Sequence, residues 1–175
     1  MKRLFQYIIA IDPGTKMSGV CLMRCEDYKP LWVAKVENEK VLEKTLQAMY
    51  DNDPVSDYTA YRLVIERMHN PMSADSNVFL TCEWIGRFDV LFNNILKIPT
   101  SYLFRHEEYK NLCANMYSRN DKGIRSALVD RFAYGVPNYG KGNKAQPGWF
   151  YGFSADTWSA YAIAVTEMDK RGDLL

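Results

Sequence analysis

The segment Tyr7-Ile-Ile-Ala-Ile-Asp12 carries no charge until its final acid. Such a run suits a strand covered on both faces, so the chain must build a sheet around it. The strand is predicted over Leu4–Asp12, and Pro13-Gly14-Thr15 follows as a turn. Two further stretches place an acid in a comparable way. Leu63-Val-Ile-Glu66 is an apolar run closed by an acid. Ser154-Ala-Asp-Thr-Trp-Ser-Ala-Tyr-Ala-Ile-Ala-Val165 is a helical pattern that an acid, Asp156, opens. An acid at the end of a buried strand is costly unless its charge is balanced. One divalent cation would balance all three.

The rest of the chain supplies the partners that a central strand needs. Ser18–Met23 and Leu31–Val36 are β-rich and are predicted to pair with it as a meander. Glu39–Tyr50 has helical spacing, with Val41, Leu42, Leu46 and Met49 on one face. Arg62–Glu66 reads as a fourth strand and Ala74–Leu96 as a long helix capped by Ser73 or Asp75. Thr100–Phe104 reads as a fifth strand. Two helices follow, the second over Asp121–Tyr134 with Asn120 as its cap, and a last helix runs from Ser154 to about Arg171. Val136–Gly152, with four glycines, is predicted to be a mobile loop. The order fits one α/β domain over residues 1–175, a mixed five-stranded sheet flanked by helices with its first strand central. Asp12 and Glu66 are then neighbours if the first and fourth strands pair.

Composition narrows the function less than these patterns do. At 175 residues, 47% apolar and 25% charged, the chain can bury a full core. Its net charge of +1 does not announce nucleic acid. The charge is uneven, however. Arg105 to Lys144 holds eight basic residues against four acidic ones, which is either a phosphate footprint or a solvated face. Cys21, Cys25, Cys82 and Cys113 form no Cys-x-x-Cys pair, so a structural zinc site is not expected. Scattered cysteines and an opening without a hydrophobic leader lead to the expectation of a cytoplasmic protein with reduced thiols. No apolar run is long enough for a membrane span.

Taken together, the three acidic motifs resemble those of RuvC-type Holliday junction resolvases, within the RNase H-like or retroviral integrase superfamily. Ile9-Ala-Ile-Asp-Pro-Gly-Thr-Lys-Met-Ser-Gly-Val20 is similar to the family's first strand and turn, and Val64-Ile-Glu66 to its second acidic strand. Ser73-Ala-Asp-Ser76 stands where the family opens its long helix. Asp156-Thr-Trp-Ser-Ala-Tyr-Ala-Ile-Ala-Val165 resembles its last acidic helix. The resemblance covers essentially the whole chain and implies an RNase H-like fold. It also implies a Mg²⁺-dependent endonuclease, with Mn²⁺ able to substitute, that acts as a homodimer on four-way DNA junctions. Asp12, Glu66 and Asp156 would be the catalytic metal ligands. A phage or viral genome would suit so compact a form.

The chain departs from that pattern at one acid. In the matching register, the family's fourth acid becomes Ser159, which could hold a metal-bound water but adds no charge. In a register shifted by three residues, Asp156 is the fourth acid and Phe153 takes the third position. The resemblance also implies a DNA-contacting set. His69 takes the place of an aromatic that stacks at the junction crossover. Lys122 takes the place of a DNA-contacting lysine, beside Arg119 and Arg125. The local basic excess adds Lys141 and Lys144, in the glycine-rich loop, as further DNA-binding candidates. Two other readings stay open: a YqgF-type RNA-processing nuclease, and a junction-binding protein of weak catalytic power.

Overall fold

The computed structural model describes residues 5–53, 57–68, 75–114 and 120–172. Three strands open the chain: β1 (Tyr7–Asp12), β2 (Met17–Arg24) and β3 (Pro30–Glu37). Then come α1 (Val41–Asn52), β4 (Tyr61–Arg67), α2 (Ser76–Asp89), β5 (Thr100–Phe104), α3 (Arg105–Leu112), α4 (Asp121–Phe132) and α5 (Ala155–Gly172). The sheet order is β3-β2-β1-β4-β5, so the first strand is central as its apolar run requires. β2 is antiparallel to β1 and to β3, whereas β4 is parallel to β1 and to β5. This is the mixed five-stranded sheet flanked by helices that the sequence predicts.

Alternation along β1 explains why both faces must be covered. Ile8 and Ala10 pack with Cys21, Met23, Val64 and the buried side of α5. Ile9 and Ile11 pack with Val20, Leu22, Leu63 and Ile65, under Val41 and Met49 of α1 and Phe88 of α2. Helix α5 is buried almost all round. Ala160 through Val165 have no exposed surface, and its alanines let it lie close on β1 and β2. No helix among the described residues is long and apolar enough to cross a membrane.

Two predicted elements differ in detail. The predicted helix over Ala74–Leu96 is regular only to Asp89, capped by Asp75, whose carboxylate accepts from the Asn77 and Val78 amides. It then widens into a π turn at Val90–Ile95, which turns Phe92 wholly into the core. Ser73, the other predicted cap, lies outside the described residues. The predicted mobile loop is folded back on itself. The Phe150 amide donates to the Gly140 carbonyl, and the Phe150 ring is fully buried.

Candidate active site

Strand register assembles the site. Asp12 pairs with Gly19, and Gly19 pairs with Lys35, so one row crosses β1, β2 and β3. Opposed residues of paired strands share a face. In this row that is the α5 face, which Ile8 and Ala10 already occupy. On the other side, Ile11 pairs with Ile65, which brings Glu66 beside Asp12. Glycine is required at position 19, because a Cβ there would stand 2.3 Å from the Asp156 carbonyl oxygen. The start of α5 therefore rests directly on β2, and Asp156 reaches the row. The entry to α5 is fixed by a reciprocal pair: the Ser154 amide donates to Thr157 Oγ1 (2.8 Å), and that hydroxyl donates to the Ser154 carbonyl (2.9 Å).

Asp12, Glu66, Asp156 and Ser159 line one cavity of about 350 Å³, together with Arg105, Lys122 and Arg125. Asp12 and Glu66 are hydrogen-bonded to each other. Burial, reinforced by the Glu66 charge, pushes the Asp12 carboxyl up to about 8. Burial also raises Glu66, against the pull of Arg105. Two carboxyl groups in this contact share a proton or need a cation. Arg105 supplies part of that charge. Its Nη1 lies 3.4 Å from Glu66 Oε2 and 3.2 Å from Glu108 Oε2, and its Nη2 contacts Asp121. Glu108 has no exposed surface, its Oε1 has no hydrogen-bond partner among the described residues, and burial pushes it up to about 9. At the other end of the row, Lys35 Nζ lies 2.5 Å from Asp156 Oδ2.

The remaining candidates divide. Lys122 and Arg125, near the start of α4, open on the cavity, and Arg125 also lies over the Tyr139 ring. Asn120 caps that helix as predicted, accepting from the Gly123 amide. Lys141 donates to the Phe153 carbonyl at 2.8 Å, which ties the glycine-rich segment to the approach of α5. Lys144 is exposed and does not line the cavity. His69 and Arg119 lie outside the described residues. Of the two registers, the structure brings Ser159 to the cavity, while Phe153 packs edge-on against Phe150 and Trp158 in the core. Sequence reasoning missed Arg105, Glu108 and Lys35. Arg105 could have been found by extending the β4–β5 register, where Glu66 faces Leu103.

No family model matches the chain, and no curated protein matches it in sequence. Solved structures do match. Thermus thermophilus RuvC superposes with a TM-score of 0.65, covering 95% of this chain and 96% of that one. The fold is RuvC-type. T. thermophilus RuvC in complex with a Holliday junction substrate matches with the same score and coverage. Identity is 12% in both cases, so the likeness to RuvC is one of fold.

The donors suit a hard divalent cation in type, being carboxylate oxygens around a shared cavity. Among the described residues, however, no three His, Cys, Asp or Glu side chains are drawn together closely enough to hold a metal ion. Two of the three acids are turned to a cation of the protein itself, Glu66 to Arg105 and Asp156 to Lys35. The set fits a metal by chemistry and by the Asp12–Glu66 contact, and closing around one requires those ion pairs to loosen.

Proposed function

We propose that this chain is a single-domain, divalent-metal-dependent endonuclease that cuts branched DNA, foremost four-way junctions, by paired nicks. The observation that carries this reading is the convergence of Asp12, Glu66 and Asp156, from three distant segments, in one cavity that also opens on Lys122 and Arg125. The RuvC-type fold supports it, since one of the matching structures was solved on a Holliday junction substrate.

In this reading Asp12, Glu66 and Asp156 hold Mg²⁺, or Mn²⁺ in its place, and Ser159 orients a water beside them. When bound, the cation supplies a nucleophile at neutral pH and steadies the leaving oxygen. The protein's own groups do the rest. Asp12 and Glu66 would release the proton they share to solvent as a cation took its place. Arg105 steadies Glu66 against its neighbours Glu108 and Asp121, and Lys122 and Arg125 hold backbone phosphates. Two such sites acting on two strands require a homodimer. The exposed apolar side chains of α2, Phe79 and Leu80, continued by Val90 and Ile95, support one. A cytoplasmic setting suits both the substrate and the cysteines, of which Cys21, Cys25 and Cys113 are buried and in no disulfide.

A second reading, a junction-binding protein that cuts weakly, draws on Ser159 and on the two acids already paired with Lys35 and Arg105. Incubation of the protein and Mg²⁺ with a four-way junction, a linear duplex and a structured RNA separates these readings. Preferential nicking of the junction is expected. Cleavage of the RNA alone would move the protein to RNA processing, and binding without nicking would favour the weak cutter.

A further inference from the structure

The catalytic acids stand where two openings meet. One is the cavity that leads to Lys122 and Arg125 on α4. The other, about 450 Å³, also begins at Asp12 and Asp156 and is walled by the β1–β2 turn, by Lys16 and by Lys35. We propose that this second opening binds the sugar–phosphate backbone of the strand being cut, with Lys16 and Lys35 as its phosphate contacts. The inference rests on the endonuclease reading and deepens it.

An endonuclease cuts inside a chain, so its substrate must leave the acids on both sides of the scissile bond. Lys122 and Arg125 provide for one side only. Both openings share Asp12 and Asp156 in their linings, so these acids stand between the two.

Asp12 and Asp156 would repel an approaching phosphate, and cations beside them must offset this. Lys35 is half exposed, with its ammonium on Asp156. Lys16 is exposed, and no described acid pairs with it. That leaves its charge to act outward.

The turn that carries Lys16 is held from beneath by a buried polar network. Ser18 Oγ donates to Asn38 Oδ1 (2.7 Å), Asn38 Nδ2 donates to the Gly14 carbonyl (2.9 Å), and the Asn38 amide donates to the Lys16 carbonyl (2.9 Å). Ser18 and Asn38 are almost fully buried. A Cβ on Gly14 would stand 2.3 Å from the Met17 carbonyl oxygen, so the turn is closed tightly. A buried network of this kind fixes geometry, here that of the backbone bearing Asp12 and Lys16. Beyond Lys16 lie Glu37, paired with Lys40 at 2.8 Å, and Glu39, so no further unpaired cation continues the row there among the lining residues.

Binding of a fixed four-way DNA junction, measured by fluorescence anisotropy over a range of NaCl without divalent cations, tests the inference. The proteins compared are the parent, Lys16→Ala, Lys16→Ala with Lys35→Gln, and Lys122→Ala with Arg125→Ala. Each lost phosphate contact should make the slope of log affinity against log salt shallower by about one unit. Lys16→Ala is therefore expected to lose about one unit and bind several-fold more weakly, and the double variant to lose about two. Lys16 is exposed, and its side chain makes no hydrogen bond or ion pair with a described residue, so an unchanged melting temperature is expected. If both Lys16 variants keep the parent slope while the α4 pair loses its share, the second opening does not touch DNA and the endonuclease reading stands. If the parent does not bind the junction at all, both fall.

Discussion

Ser159 opens on the same cavity as Asp156, one helical turn further along α5. Ser159→Asp adds a fourth carboxylate there, and the first turns of a helix tolerate negative charge. Mn²⁺ binding to the protein alone, followed by calorimetry, should tighten by about tenfold, or about 1.4 kcal/mol. Affinity equal to that of the parent would mean that the position 159 side chain does not reach the metal. At this scale the three acids were legible because each marks the end of an element, and element ends are visible in the hydrophobic pattern. Lys35, Arg105 and Glu108 were not legible. Lys35 meets Asp156 only through the β2–β3 register and the placing of α5 over Gly19. Glu108 sits on a short polar helix and gives no sign of burial, yet it has no exposed surface.

Helix α5 is the element on which the site depends, and two of its contacts can be tested apart from catalysis. Gly19→Ala places a methyl group against the Asp156 carbonyl and must lift the first turn of α5. A loss of about 1–3 kcal/mol in chemical denaturation is expected, together with impaired nicking. Retention of full stability would show that β2 and α5 can separate freely. Near its other end Asp169 is held by Arg131 (2.7 and 2.9 Å) and by Asn111 (2.8 Å). Burial works to raise Asp169, but these hydrogen bonds outweigh it and hold the carboxyl below the usual aspartate range. The folded pKa lies below the unfolded one, so this stabilisation is present above the ordinary aspartate range and is lost as the pH falls through the folded value. Asp169→Asn should cost about 1 kcal/mol at neutral pH, with the difference from the parent shrinking in acid. A pH-independent difference would assign the cost to packing instead. The elements themselves were largely legible, down to the Asp75 and Asn120 caps. The π turn at Val90–Ile95 was not, since nothing in an apolar run distinguishes a wide turn from a regular one.

For the whole molecule, the central place of β1 followed from one strand being apolar on both faces, and the order β3-β2-β1-β4-β5 bears this out. The proposed homodimer would pair through the exposed face of α2, where Phe79 is 60% exposed and Leu80 43%. The parent should sediment as a dimer at micromolar concentration and Phe79→Glu as a monomer. A monomeric parent would remove the basis for paired incision by two copies. The central claim is that Asp12, Glu66 and Asp156 form a metal-dependent junction-cutting site. It is tested most directly by mapping incisions on a fixed four-way DNA junction with Mg²⁺, comparing the parent with Asp12→Asn. The account predicts symmetric nicks in two strands of like polarity by the parent. It predicts none by Asp12→Asn, which should still bind the junction. Nicking by Asp12→Asn at saturating Mg²⁺, or a parent that binds the junction and leaves it intact, would contradict it.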